Sequence, residues 1–259
     1  MIKLDIYQHF RKEERPFIDQ ILSWQTEVER SFIPKLTEFL DPREQLIFKT
    51  VIGKHPDFTL DFFGGKGAER KRAILAPYYE TVDEKDFDLV LLEAVYPQKF
   101  ITLTHRDVLG AFMSLGIKRK KVGDLIVRDG VIQIVATGDI VDYIRMNMTG
   151  VKKANIQFEV KSFDQMLQST DVWESAETTV SSLRLDVIVK EIYRISRQNA
   201  GLLIEKGHVK VNFRVVEDTS FQLESGDMIS VRKKGRSKLV EVHGTTKKEK
   251  FRITTSKLK

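Results

Sequence analysis

Hydrophobic positions in the first 75 residues recur mostly at helical spacing. Ile18, Ile21, Leu22 and Val28, with Trp24 alongside, predict a helix, and Pro16 suits its early turn. A second helical piece is predicted over Pro34 to Phe39. Asp41-Pro42 ends it, and Asp41 is placed to cap a further helix through Leu46, Ile47 and Val51 to Gly53. Phe58 to Phe63 then alternates like a strand and runs into Gly64-Gly65-Lys66-Gly67.

From about Tyr78 the pattern changes to alternating strands and helices. Leu89 to Tyr96 is a near-continuous apolar run, and a second, shorter one covers Phe100 to Leu103. Thr104 can cap a helix with the stripe Val108, Leu109, Phe112, Met113 and Leu115. Leu125–Val127 and Val131–Val135 flank Asp129-Gly130, a strong hairpin signal. Asp139 to Met148 reads as a helix and Ala154 to Val160 as a last strand. The order strand, helix, hairpin, helix, strand predicts an RRM-like or ferredoxin-like sheet backed by two helices.

Asp171 to Ser182 is polar, has no apolar stripe, and reads as a linker ending in a short extended piece. Beyond it, Leu185, Ile188, Val189 and Ile192 give a helix one buried stripe, with Arg184, Lys190 and Arg194 off it. Ser196 is placed to cap a second helix whose Ala200, Leu203 and Ile204 face inward, and Gly207 suits a left-handed terminus after Lys206. Val209-Lys210-Val211-Asn212 alternates, so Lys210 and Asn212 share the side opposite the valines. Gly226-Asp227 turns into Met228 to Val231, which closes a small sheet, and the tail from Thr245 is basic and weakly patterned. The expected fold class is α+β: a mainly helical region over 1–76, a βαββαβ region over 77–168, a linker over 169–182, a two-helix module on a small antiparallel sheet over 183–244, and a tail over 245–259.

Charge sharpens this division. The 259 residues carry a formal charge of +6. Leu183 to Lys259 holds 18 Lys+Arg against 9 Asp+Glu, a net of +9, which leaves 25 against 28, a net of −3, for the first 182 residues. Such asymmetry points one end of the chain at a polyanion. With 41% hydrophobic and 31% charged residues the chain is of ordinary globular composition. It has no cysteine, which excludes disulfides and thiolate metal sites. No apolar run has transmembrane length, and the first residues are too charged for a signal peptide, so a cytoplasmic protein is expected.

Arg184-Leu185-Asp186, Ser196-Arg197, Gly207, Val209 to Asn212 and Gly226-Asp227-Met228-Ile229 together resemble the RNA-binding domain first known from small-subunit ribosomal protein S-four. With VSSLRLD at 180–186, ISVR at 229–232 and the three-region layout, the whole chain resembles the bacterial YlmH family of RNA-binding proteins. Two residues depart from the domain's pattern: Phe213 and Lys233 stand where glycine is expected, both at turns. The resemblance implies binding of structured RNA, rRNA or tRNA on the ribosome, through Arg184, Ser196, Arg197, Gln198, Lys206, Lys210, Asn212 and Arg214. Lys190, His208, Arg232, Lys233 and Lys234 are counted with them. The chemistry fits: Arg and Lys neutralise phosphates, Ser and Asn hydrogen-bond phosphate or 2′-hydroxyl, and a helix N-terminus offers free N–H groups. Asp186 reads as an orienting or capping partner for a nearby arginine.

Elsewhere the signals are weaker. Gly64 to Gly67, followed by Arg70, lacks the P-loop spacing and reads as a basic turn, with Lys66 and Arg70 as candidate phosphate contacts. Lys118, Arg119, Lys120 and Lys121 read equally as a solvated run or a second RNA contact. Val131 to Val135 is aliphatic where a base-stacking RRM shows aromatic residues. The rival class is an RNA-modifying enzyme that uses the module for docking. A pseudouridine synthase needs a Gly-Arg-Leu-Asp context outside the module, and a methyltransferase needs a Gly-rich turn in a doubly wound domain. Neither is present. His9, His55, His105, His208 and His243 are scattered without metal-ligand spacing, and His105 beside Arg106 and Asp107 is explained by a helix N-terminus. A non-enzymatic protein without cofactor or metal is therefore expected, with RNA as partner. A protein partner is left to the N-terminal region, including a reading that links RNA binding to cell division.

Overall fold

The computed structural model describes residues 6–168 and 171–259; Met1–Asp5 and the first two residues of the expected linker lie outside the described residues. The chain is α+β and forms two compact units, Met1–Ser169 and Thr170–Lys259.

The first unit opens with helix α1 (Arg15–Ser31) and helix α2 (Pro42–Ile52). They pack on three antiparallel strands, β1 (Lys35–Leu36), β2 (Phe58–Phe63) and β3 (Arg72–Pro77), arranged in the order β1-β3-β2. Asp41 caps α2 as the sequence predicts, accepting from the Arg43 and Glu44 N–H groups at 2.9 Å each. Burial pushes the Asp41 carboxyl up to about 6, helped by the charge of Glu44. The helix expected over Pro34 to Phe39 does not form. That segment is extended, because Thr37 N–H pairs with Ala73 O at 2.9 Å and the buried Arg72 guanidinium donates to Thr37 O at 2.6 Å. β3 is buried along its whole length, so it shows a continuous run rather than alternation.

The remainder of this unit contains β4 (Leu89–Val95), α3 (His105–Ser114), β5 (Val122–Arg128), β6 (Val131–Thr137), α4 (Val141–Asn147), a small hairpin of β7 (Gly150–Val151) with β8 (Ala154–Asn155), and β9 (Glu159–Lys161). Four of these strands form an antiparallel sheet of order β5-β6-β4-β9. This is the predicted βαββαβ order, with the Asp129-Gly130 turn left-handed at both residues. Thr104 caps α3, and Lys152 with Thr104 holds the Asp107 carboxyl down to about 2. The short apolar run Phe100 to Leu103 is irregular: Pro97 O takes the N–H groups of Phe100 and Ile101, and Phe100 stays exposed. One expectation differs. Ala154 to Val160, expected as one strand, divides between the hairpin and β9.

Helices α3 and α4 cover one face of this sheet; Phe39, Phe163 and Met166 pack against Leu91 and Val135 on the other. Phe39 lies so close to Gly123 of β5 that a Cβ there would stand 2.6 Å from its ring. Phe39 N–H also donates to Lys120 O at 2.9 Å, and Asp124 accepts the N–H groups of Glu69 and Arg70. These contacts join the N-terminal helices and the βαββαβ sheet into a single unit.

The second unit is larger than the module expected from sequence. Its strands are β10 (Trp173–Val180), β11 (Val209–Val211), β12 (Arg214–Val215), β13 (Met228–Val231), β14 (Gly235–Thr245) and β15 (Phe251–Leu258). They form one six-stranded sheet of order β10-β15-β14-β13-β11-β12. The segment read as linker thus carries a full strand, and the tail read as weakly patterned carries the strand that joins β10 to β14. Helices α5 (Leu185–Tyr193) and α6 (Arg197–Glu205) pack on one side, where Leu185, Ile188, Val189, Ala200 and Ile204 meet Val209, Val211, Ile229, Val231, Leu239 and Ile253.

Candidate RNA-binding site

The site begins at the N-termini of α5 and α6. Asp186, in the first turn of α5, is only 4% exposed. Its carboxylate accepts from Arg184 Nε at 3.0 Å, Arg184 Nη2 at 3.2 Å and Arg197 Nε at 2.8 Å. Burial opposes the charged form, but the hydrogen bonds and charges of both arginines outweigh it and hold the Asp186 carboxyl below its usual range. One buried acid therefore fixes two guanidinium groups at the start of the two helices. Arg197 is the more exposed, with 59% of its side chain open to solvent against 33% for Arg184.

Ser196 caps α6, accepting from Asn199 N–H at 3.1 Å. The cap leaves other first-turn N–H groups of α6 directed outward beside Arg197 and Gln198, both exposed. Along the length of α6, Ile195, Asn199, Leu202, Lys206, His208 and Lys234 line a shallow groove with an apolar floor and a basic rim. Arg232 Nη1 stands 3.4 Å from His208 Nε2, and Arg232 N–H donates to His208 O at 2.9 Å. Lys190, Lys206, Lys233 and Lys234 are exposed.

The candidate residues do not form one face. Val209 and Val211 point at the helices, so Lys210 between them projects from the opposite side of the sheet. Asn212 is occupied inside the unit: its amide donates to Asp227 Oδ1 at 2.7 Å and its carbonyl oxygen accepts Met228 N–H at 3.0 Å. Asn212 and Phe213 both have positive φ, which gives the two-residue turn between β11 and β12 and explains the glycine expected at 213. Arg214 follows on the exposed edge strand.

Among the candidates for a second contact, Arg70 and Arg119 are corrected. Arg70 is buried and donates to Phe39 O at 3.1 Å. Arg119 donates to Val122 O and to Gly123 O, and burial, then the charge of Arg70, pulls its pKa down to about 10. Lys121 is held by Asp139 at 2.8 Å and Glu38 at 3.0 Å. Lys66, Lys118 and Lys120 are exposed, Lys120 at 3.9 Å from Glu44. Arg70 and Arg119 both direct guanidinium donors at backbone carbonyl oxygens rather than outward. Sequence reasoning also passed over Trp173, which lay in the expected linker, and Arg236 and Lys238, which lay inside the expected module on a strand, β14, that the sequence pattern did not mark.

Among the described residues, no group of three or more His, Asp and Glu side chains could hold a metal ion, and no helix is long and apolar enough to cross a membrane.

Residues 83–165 match the family described as "Putative RNA-binding domain in YlmH", and residues 183–229 match the S4 domain. The "Ribosome-associated protein quality control protein P2" of Bacillus subtilis (strain 168) is 45% identical over 257 residues, which covers 98% of this chain and 99% of that protein. The chain belongs to the YlmH family. The "Cell division protein ylmH from Streptococcus pneumoniae" has a structure that matches with a TM-score of 0.55 at 30% identity, over 62% of this chain and 99% of that one. The small ribosomal subunit protein uS4 of Thermoanaerobacter sp. (strain X514) is 44% identical over 55 residues, 21% of this YlmH-family chain and 27% of that protein. Both matched families are RNA-binding domains, and neither is an enzyme family.

Proposed function

We propose that this YlmH-family protein is a non-enzymatic, cytoplasmic RNA-binding factor. It grips structured RNA, rRNA or tRNA on the large ribosomal subunit, and serves translation quality control or assembly. The observation that carries the reading is the Asp186 clamp: two arginines held in fixed geometry at the starts of two helices, beside the open first turn of α6. Fixed guanidiniums can meet phosphate with little ordering cost, and the helix N-terminus adds N–H donors for the same anion. Support for the ribosome comes from the name of the Bacillus subtilis relative, which aligns along nearly the whole chain.

In this reading Arg184, Ser196, Arg197, Gln198, Lys206, Lys190 and the Arg232–Lys234 turn make the RNA contacts on the helix side. The test is Arg197→Ala with Lys206→Ala, measured as affinity for ribosomal RNA across a salt series. Each lost phosphate contact lowers the salt slope by about 0.7–0.9, so the double variant should fall by roughly 1.4–1.8. An unchanged slope and affinity would remove this face from the site. For the non-enzymatic assignment, the nucleotide composition of ribosomal RNA should be identical in cells with and without the protein; a missing modification would establish the enzyme reading instead.

A second reading, a protein partner for the first unit, rests on exposed Phe32, Ile33, Tyr78 and Tyr79. It predicts that residues 1–168 retain a co-purifying protein that substitution of Tyr78 and Tyr79 by serine releases; a linked role in cell division would then be open to test.

A further inference from the structure

The outer side of the second unit's sheet carries a basic, aromatic surface distinct from the helix-side site. Directly paired residues of antiparallel strands share a face. Lys210 pairs with Ser230, and Ser230 with Arg236. Ser237 pairs with Lys257, which sets Arg236 beside Leu258, and Leu258 pairs with Trp173. One row therefore crosses the sheet from Lys210 to Trp173. The next row on the same side runs Met228, Lys238, Ser256, Ser175.

The two rows meet at Trp173. The Arg236 guanidinium lies 5.9 Å from the centre of its ring and Lys238 Nζ lies 5.1 Å from it. Such stacking holds both cations over a flat, half-buried platform without neutralising them. Arg236 is also anchored by Asp171 at 3.0 Å. Ser230 lies between Lys210 and Arg236, and the Ser175–Ser256 hydroxyl pair, 2.7 Å apart, follows Lys238 toward the β10 edge. Since Ile229, Val231, Val209 and Val211 point at the helices, this surface faces away from the Asp186 clamp.

We propose that this sheet face is a second RNA-binding surface, in which Lys210, Arg236 and Lys238 take backbone phosphates around Trp173, so that the unit bridges two RNA segments. It rests on the RNA-binding reading above. The charge, the hydroxyls and the flat aromatic platform match a sugar-phosphate strand. An anionic membrane would call for exposed apolar side chains to insert, and the row offers one, Val215, at its far edge.

The chain contains two tryptophans, Trp24 and Trp173, so Trp24→Phe leaves Trp173 as the sole indole reporter. In that background a short RNA duplex and an oligouridylate of equal length should each be titrated in full-length protein. Trp173 emission should change on RNA addition and should still change when Arg184 and Arg197 are both alanine. The change should vanish in the Lys210→Gln, Arg236→Gln, Lys238→Gln variant, whose salt slope should fall by roughly 2.1–2.7. Lys238→Gln alone, the mildest variant, should lower the slope by about 0.7–0.9 with circular dichroism unchanged. Emission that stays constant at RNA concentrations that saturate the protein would overturn the proposal, as would a response to phosphatidylglycerol vesicles or polyglutamate without one to RNA. If the clamp variant loses all RNA binding while the sheet variant keeps the full slope, the helix-side function stands and this surface falls.

Discussion

Replacing Asp186 by Asn keeps the shape of the side chain and removes the charge that organises both arginines. The carboxylate accepts three charge-assisted hydrogen bonds at 2.8–3.2 Å. Each is worth about 1.5–3 kcal/mol where both partners are buried. Arg197 is well exposed, so its share is cut to the surface range of about 0.2–1 kcal/mol. Arg184 is a third exposed, so its two bonds are likewise discounted for screening by solvent. The expected loss is about 2 kcal/mol, or roughly 8–16 °C in the unfolding midpoint of a unit this size. Trp173 emission in the Trp24→Phe background follows that unit in the full-length protein. The pH dependence fixes the cause. The folded pKa of Asp186 is lowered, so its contribution is complete above the unfolded value near 3.9 and disappears as pH falls through the folded value. Wild type and Asp186→Asn should therefore differ at pH near 7 and converge in acid. RNA supplies an independent check: the variant gains one unit of net positive charge yet should bind more weakly, because the guanidiniums are no longer held. Equal stability at neutral pH, a gap that persists in acid, or tighter RNA binding would refute the clamp.

Two further substitutions probe other regions of the fold. The folded pKa of Asp41, about 6, lies above the ordinary value of 3.8, so its carboxyl favours the native state when protonated and loses that contribution as pH rises from about 4 through 6. Asn is an equally good cap and never ionises. Urea unfolding of the first unit should thus show Asp41→Asn flat across this window while wild type declines by up to about 3 kcal/mol; parallel curves would contradict the burial argument. Lys233 is exposed with φ +67°, so Lys233→Gly should stabilise the second unit by several tenths to about 1 kcal/mol, seen as a higher melting temperature. A lower one would mean that its side chain contributes contacts beyond its strained backbone.

The sequence shows the second unit's two helices clearly because each carries one apolar stripe, a cap and a stop in order. Ser196 and Gly207 bracket α6 as their chemistry dictates. The same rules fail for β10. Trp-Glu-Ser-Ala-Glu-Thr-Thr-Val is an edge strand, largely polar, and only its pairing with β15 shows it to be a strand. β3 fails for the opposite reason, since burial on both sides erases alternation. Asp186 was legible as a partner for a nearby arginine; that it serves two was not, because Arg197 arrives from another helix. Arg70 and Arg119 looked like surface cations because a run of basic residues carries no sign of which donors meet carbonyls. Lys210 shows the limit of periodicity most directly. Alternation places it opposite the valines, but only the helices' position says that this side faces away from the clamp.

The seat of Phe39 against Gly123 bears on how the chain is made. Synthesis delivers Phe39 long before the β5 backbone that closes over it, and before Leu91 and Val135 that floor its pocket. The first helices and their small sheet therefore emerge with a large aromatic ring and the far side of β3 unmatched. Domains usually complete themselves in the order they leave the ribosome. Here the leading segment must wait, half-finished, for the sheet that follows. A fragment ending near Pro77 would carry that unfinished surface permanently and should aggregate, whereas one ending after Met166 would not.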